Sequence, residues 1–158
     1  MPDDDTRYLG FNQFDVLDDI VSLAGGNQTI HLKLHPDEDE SDYEFYLKSE
    51  SVALVSNDEM YKKISEYSVI IGMESILLIE FSALGLLTYS YRPNSKRSFI
   101  GCEMNWIPNL TFEQLKTLLV DEIYPYDHQR IKPNFEGSLK KIINRIIDIY
   151  ENSSVHTG

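Results

Sequence analysis

The segment of residues 69–91 constrains the fold most strongly, because it alternates strand and helix signals within a short stretch. It reads VIIGMESILLIEFSALGLLTYSY, with two short apolar runs on either side of a longer one. Gly72 and Gly85 separate the three runs. Short apolar runs bounded by glycine are typical of buried strands, and the longer run between them indicates a helix. The segment therefore predicts a strand-helix-strand unit, the connection that joins parallel strands.

The turn that follows Gly72 is a candidate site for an anion. If the chain reverses at Gly72, the backbone amides of Met73, Glu74 and Ser75 are expected to open the helix. The amino end of a helix exposes unpaired N–H groups and carries a partial positive charge, so it favours a phosphate or another anion. An ordinary packing turn is the alternative, because a Gly-x-x-Ser turn is a weak motif by itself.

Glu80 is the unusual residue of the predicted helix. It is surrounded in sequence by Ile76, Leu77, Leu78, Ile79 and Phe81. An ionised carboxylate in such surroundings needs partners, or its burial costs roughly several kcal/mol. A ligand hydroxyl is one such partner, and a position at the helix edge with access to solvent is the other explanation.

Composition and charge exclude several classes of function. A chain of 158 residues fits one domain. The formal charge of −12 argues against binding to nucleic acid, whose phosphates favour clustered Lys and Arg, and against an anionic membrane surface. The chain opens with Met1, Pro2 and an acidic run, unlike a signal peptide. Its single cysteine, Cys102, excludes an internal disulfide and fits a reducing compartment. We therefore expect a cytoplasmic protein with no membrane span.

The rest of the chain continues the alternation of strands and helices. Strands are predicted at residues 7–11, 29–34 and 51–56, and helices at residues 14–24, 43–47, 57–67, 111–123 and 139–150. Asn57 or Asp58 is the predicted cap of the third helix, and Thr111 with Gln114 forms a capping-box pattern. This order predicts an α/β fold with a Rossmann-like parallel sheet covered by helices on both faces.

An acidic stretch follows the second predicted strand. Residues 37–44 contain six carboxylates in eight positions. A solvated loop or the start of a helix is one interpretation, and a metal site is the other. Calcium loops need a defined ligand spacing and a turn glycine, which this stretch does not have, so we predict no metal site.

Further polar residues follow the predicted strands. His35 comes directly after residues 29–34, and the following Pro36 ends that strand. Arg92 begins a predicted loop of residues 92–109, which also holds Lys96 and Arg97. In parallel sheets, ligands bind outside the carboxyl ends of the strands. We therefore expect His35, the turn after Gly72 and the start of this loop to share one edge.

These residues resemble a known family. The pair His35-Pro36, the pattern Gly72-x-x-Ser75 with Glu80 five residues on, Gly85, and the strand end Ser90-Tyr91-Arg92-Pro93 are similar to the carboxyl-terminal half of GT-B glycosyltransferases. The likeness is to bacterial surface-polysaccharide enzymes of the sialyltransferase-like and polysialyltransferase-like groups, and the nucleotide-sugar 2-epimerases share the architecture. The resemblance to GT-B enzymes covers residues 8–150 in the order of the elements, and its specific motifs cover residues 35–36 and 69–93.

The resemblance implies a role for each matching residue. His35 would lie near the donor phosphate or the leaving group, as a general acid or phosphate ligand. A free His has a pKa of about 6.5, so it can donate a proton or a charged hydrogen bond near neutral pH. The amides and hydroxyl at Glu74 and Ser75 would hold phosphate, and Glu80 would accept from the ribose hydroxyls. The other binding residues implied are Gly72, Ser90 and Arg92. The donor would be a CMP- or UDP-linked sugar, with no tightly bound cofactor.

The sequence also departs from the family. GT-B enzymes work between two domains, so the resemblance implies a partner domain or subunit, or a homo-oligomer, that supplies the acceptor-binding half. The acidic residues after Pro36 would repel a diphosphate. A non-catalytic interaction or regulatory domain with the same fold is therefore a second hypothesis. A flavodoxin-like or receiver-like domain is a third hypothesis. A receiver needs an Asp at a central strand end and acidic residues after its first strand, and this sequence matches neither position well.

Overall fold

A computed structural model of the chain describes residues 8–125. The predicted helix at residues 139–150 lies outside the described residues. The described part divides into two compact units. The first unit holds residues 8–68, 91–97 and 110–125, and the second holds residues 69–90 and 98–109. The expectation of one domain stays a prediction.

Short helices and strands alternate along the described chain. In order they are α1 (Gln13–Ala24), β1 (Ile30–Leu32), α2 (Glu44–Leu47), β2 (Val52–Leu54), α3 (Asn57–Lys62), β3 (Ile70–Gly72), α4 (Ile76–Ala83), β4 (Thr88–Tyr91), α5 (Ile100–Glu103), β5 (Asn109–Leu110) and α6 (Phe112–Val120). Turns of 3-10 helix occupy Glu40–Tyr43 and Ile64–Glu66. The strands form two small sheets, β1-β2 and β3-β4-β5. The predicted α/β class is confirmed, because helices and short strands alternate. The finer expectation of a Rossmann-like sheet covered on both faces stays a prediction.

The first unit is built on the parallel pair β1-β2. Ile30 lies opposite Val52, and Leu32 lies opposite Leu54. Beside this pair, a buried cluster combines one side of α1 with two tyrosines of the connection between the strands; its members are Leu17, Tyr43, Tyr46 and Val52. The ring of Phe14 lies 5.2 Å from that of Tyr43, within the range of favourable aromatic contacts. The connection after β1 is thereby fixed to α1.

The second unit contains the predicted strand-helix-strand segment. β3 and β4 are parallel, with Ile70 opposite Thr88, and α4 connects them. A buried cluster of Leu78, Ile79, Phe99 and Ile107 forms the core of this unit. A Cβ at Gly72 would lie 3.0 Å from the Leu78 side chain, so the missing side chain allows the helix to pack closely against the end of β3. The prediction of a strand-helix-strand unit is confirmed.

Local capping explains where the helices begin and end. Thr111 and Gln114 form the predicted capping box of α6, which is confirmed. Gly25 ends α1 in a left-handed conformation with φ of 58°. The cap predicted for α3 is wrong. Ser56, rather than Asn57 or Asp58, caps that helix, and the Glu59 side chain completes a capping box with it.

Several predicted boundaries also differ from the structure. The strand predicted at residues 7–11 is wrong over its described part, because residues 8 and 9 are helical and Gly10 has a φ of 91°. An extended strand does not accommodate a positive φ. A Cβ at Gly10 would lie 2.2 Å from the Asn94 carbonyl oxygen, so glycine is required there. The helix predicted at 57–67 ends at Lys62, and the predicted loop at 92–109 contains α5.

Candidate functional site

The carboxyl ends of β3 and β4 bring two of the predicted site residues together. Gly72 pairs with Ser90 across the parallel ladder. Ser90 is fully buried, and its Oγ donates a hydrogen bond of 2.7 Å to the Met73 carbonyl oxygen. The hydroxyl therefore fixes the turn between β3 and α4, which is a positioning role that the sequence did not predict.

Ser75 occupies the N-cap of α4. Its Oγ accepts a hydrogen bond of 3.2 Å from the Leu77 amide, and its carbonyl oxygen accepts from the Leu78 amide. The helix begins at Ile76, so the expectation that the amides of Met73, Glu74 and Ser75 open the helix is wrong. The capping side chain satisfies an amide that an anion would otherwise bind.

Glu80 lies inside α4 and is half-buried. Neither it nor the half-buried Glu74 is without a partner in the chain. A ligand hydroxyl was one predicted partner of Glu80, because its sequence neighbours are apolar. The alternative was that the carboxylate of Glu80 reaches solvent, and its half-buried position agrees with that. Its burial alone does not require a ligand.

His35 lines a cleft beyond the carboxyl ends of the parallel strands β1 and β2. The cleft has a volume of about 480 Å³. Its wall contains the residues that follow β1 and those that lead from β2 into α3; they are Lys33, Leu34, His35, Pro36, Glu38, Glu40, Leu54, Val55, Ser56, Asn57 and Glu59. A volume of this size lies in the range of small-molecule sites, roughly 300–1,000 Å³. This is the edge at which α/β sheets bind ligands.

The His35 side chain is exposed and contacts the acidic stretch after it. Its Nδ1 accepts a hydrogen bond of 3.3 Å from the Asp37 amide and lies 3.4 Å from Asp37 Oδ2. The His35 amide donates to Glu38 Oε2 at 2.5 Å. These bonds form a tight turn directly after Leu34. His35 therefore keeps a side chain that can reach solvent, while its backbone is fixed.

Carboxylates dominate the electrostatics of the cleft. Glu38 Oε1 accepts a bond of 2.5 Å from the Tyr43 hydroxyl, and burial together with this carboxylate raises the pKa of Tyr43 above its ordinary value. Hydrogen bonds from Ser56 lower the pKa of Glu59, so this capping carboxylate stays ionised. Glu38, Glu40 and Glu59 thus outnumber the single Lys33 in the wall, which disfavours a free phosphate there.

The acidic stretch of residues 37–44 leads into helical structure, which agrees with the interpretation of a solvated loop or helix start. Asp39 caps the turn Glu40–Tyr43, and the Ser41 amide donates to its Oδ1 at 2.9 Å. This hydrogen bond lowers the pKa of Asp39. Among residues 8–125, no group of three or more His, Cys, Asp or Glu side chains is arranged to hold a metal ion.

Arg92 is buried and serves the loop that it begins. Its Nη1 donates a hydrogen bond of 2.9 Å to the Arg97 carbonyl oxygen. His35 and Arg92 belong to the first unit, whereas Gly72, Ser75 and Glu80 belong to the second. Nothing in the sequence pattern indicated that Lys33, Ser56 and Glu59 line the cleft. The Ser-x-x-Glu pattern at residues 56–59 is a capping-box signature, so it could have located the start of α3, which forms part of this wall.

Comparisons with known proteins do not identify a family. No family model and no curated protein matches the sequence, and no solved structure matches the fold. Within the described part of the chain, every buried side-chain nitrogen and oxygen has a hydrogen-bond partner, so no such atom there needs a ligand to complete its bonding. None of the helices in that part is long and apolar enough to cross a bilayer.

Proposed function

We propose that this chain is the nucleotide-sugar-binding domain of a cytoplasmic glycosyltransferase for bacterial cell-surface polysaccharide or lipooligosaccharide. In this proposal the parallel strand pairs belong to a Rossmann-like, GT-B carboxyl-terminal fold, and a CMP- or UDP-linked sugar is the donor. A separate acceptor-binding domain or subunit completes the enzyme. The observation that carries the proposal is the cleft beyond β1 and β2, with His35 in its wall.

The residues at the two sheets support this proposal in different ways. His35 has an exposed imidazole with its backbone fixed, which suits a group that donates a proton or a hydrogen bond. Gly72 and Ser90 shape the turn before α4 and lie at the carboxyl ends of parallel strands. Glu80 remains the proposed acceptor for the ribose hydroxyls, because a carboxylate accepts hydrogen bonds from two hydroxyls at once.

Calorimetric titration of the full chain with CMP, UDP, GDP and a CMP- or UDP-sugar tests the proposal. We expect saturable binding of at least one ligand, weakened about tenfold by His35→Ala and by Glu80→Ala, which corresponds to about 1.4 kcal/mol for each. Glu113→Ala, an exposed carboxylate of α6, is the matched control and should leave the affinity unchanged. Absence of binding at millimolar ligand, or equal binding by all variants, would contradict the proposal.

A non-catalytic interaction domain is the second candidate, and a specific observation favours it. The hydroxyls of Ser75 and Ser90 and the guanidinium of Arg92 all bond within the chain. The carboxylates in the wall of the cleft also repel a diphosphate. This candidate predicts that none of the nucleotides binds. A nucleotide that remains bound to the purified protein would exclude it.

A further inference from the structure

Residues 92–97, here called the basic loop, come directly after β4 in the sequence and belong to the first unit. They contain Arg92, Lys96 and Arg97, three of the fourteen Lys and Arg residues of a chain whose formal charge is −12. A local cluster of cations in an acidic protein still attracts anions at short range, because the Debye length is about 8 Å at physiological ionic strength. The basic loop is therefore a distinct electrostatic feature.

Hydrogen bonds hold the main chain of Arg97 in place. Its carbonyl oxygen accepts from Arg92 Nη1 at 2.9 Å and from Ser95 Oγ at 2.8 Å. Its amide donates to Ser95 Oγ at 3.3 Å. Arg92 is only 7% exposed, and its Nη1 bonds within the loop. A buried arginine thus positions an exposed one.

The basic loop is also docked on the residues that precede α1. The Lys96 amide donates to the Leu9 carbonyl oxygen at 2.8 Å. The Arg97 guanidinium lies over the ring of Tyr8, 5.0 Å from its centroid. The side chains of Tyr8, Lys96 and Arg97 are all exposed. A cation over an aromatic ring is attracted by the face of the ring, and the N–H donors of a guanidinium suit bidentate bonds to an oxyanion.

We propose that the basic loop binds the phosphate group of a small phosphorylated molecule. Arg97 donates two parallel hydrogen bonds to the phosphate oxygens, Tyr8 keeps the guanidinium plane in place, and Lys96 adds a second positive charge. A phosphate suits this arrangement because it offers three acceptor oxygens to a planar donor. The residues proposed to contact the phosphate, Tyr8, Lys96 and Arg97, are not in the wall of the His35 cleft. Arg92, which the family resemblance assigns to donor binding, acts here only by positioning Arg97.

Amide NMR titration of the full chain with inorganic phosphate, against sodium chloride of matched ionic strength, tests the inference. We expect saturable shifts of the amides of residues 8–10 and 94–98, with an affinity reduced about tenfold by Arg97→Gln. Arg97→Lys keeps the charge and loses the bidentate geometry, so we expect a smaller but clear loss. Lys116→Gln, an exposed cation of α6, is the control and should bind as the wild type does.

Further arms identify the source of the phosphate. A sugar phosphate should produce the same shifts as inorganic phosphate, whereas vesicles of phosphatidylcholine with phosphatidic acid should not bind. Binding to vesicles alone, an absence of shifts in residues 94–98, or an equal response of Arg97→Gln and Lys116→Gln would overturn the inference. Lys96→Gln provides a second variant if Arg97→Gln does not fold, and it should weaken binding while Lys116→Gln does not.

Discussion

The hydrogen bond between Tyr91 and Asp19 offers a direct test of the first unit. The Tyr91 hydroxyl donates to Asp19 Oδ2 at 2.6 Å, joining the end of β4 to the middle of α1. Tyr91 is buried and Asp19 is half-buried. Tyr91→Phe keeps the ring and removes only the donor, so the mutation isolates the hydrogen bond from the packing of the side chain.

The magnitude follows from the charge and burial of the two groups. A hydrogen bond to a charged group contributes roughly 1.5–3 kcal/mol. Because water still reaches the half-buried Asp19, part of that contribution is recovered when the hydroxyl is removed. We therefore expect Tyr91→Phe to lower the free energy of unfolding by about 1.5 kcal/mol. With a urea slope of about 1–3 kcal/mol per molar, the unfolding midpoint should fall by roughly 0.5–1.5 M.

Urea unfolding followed by circular dichroism measures this change. Tyr124→Phe, at an exposed tyrosine, is the matched control and should shift the midpoint little. Asp19→Ala and the double variant complete a mutant cycle, in which we expect a coupling energy of about 1 kcal/mol or more. If Tyr91→Phe unfolds at the same urea concentration as Tyr124→Phe, or if the coupling energy is near zero, the reasoning about this bond is refuted.

Two further predictions concern buried side chains of the first unit. Burial, followed by the neighbouring carboxylates, raises the pKa of Tyr43, Tyr46 and Tyr91, so their contribution to stability is complete below the unfolded pKa of about 10 and is lost as the pH rises through the folded values. Unfolding curves at increasing alkaline pH should show this loss, and the ultraviolet absorbance of tyrosinate should increase with unfolding; a stability that is constant above the unfolded pKa would contradict it. Leu115→Ala, at a fully buried position of α6, should cost about 2–5 kcal/mol, whereas Leu84→Ala, at a mostly exposed position, should cost less than about 1 kcal/mol in the same urea assay.

Periodicity and turn residues predicted most of the described elements. The alternation in residues 69–91 located β3, α4 and β4, and Thr111 with Gln114 located the start of α6. These features depend on local chemistry, which a sequence states directly. Residues 8–11 were predicted wrongly because their apolar pattern resembles a strand, while the close approach of Gly10 to Asn94 decides the backbone conformation. That contact joins segments far apart in sequence.

The candidate site was less predictable than the fold. His35 was correctly placed beyond the strand that precedes it, since Pro36 marks the end of an extended segment. The partners of Ser90 and Arg92 could not be predicted, because a hydroxyl or a guanidinium bonds equally well to a ligand or to a nearby carbonyl oxygen. Whether the group bonds to a ligand or to the chain depends on the position of a single backbone carbonyl. A pattern of residue types does not contain that information.

The contact between Gly10 and Asn94 has a consequence for the order of folding. The Leu9 carbonyl oxygen bonds to the Lys96 amide, so the segment before α1 acquires its final partner only when the chain beyond β4 is present. During synthesis the ribosome releases residues 8–11 long before residues 92–97. Phe11, which belongs to this segment, is almost completely buried in the folded chain. We therefore expect the segment before α1 to complete its native contacts later than α1 itself, whose hydrogen bonds are local.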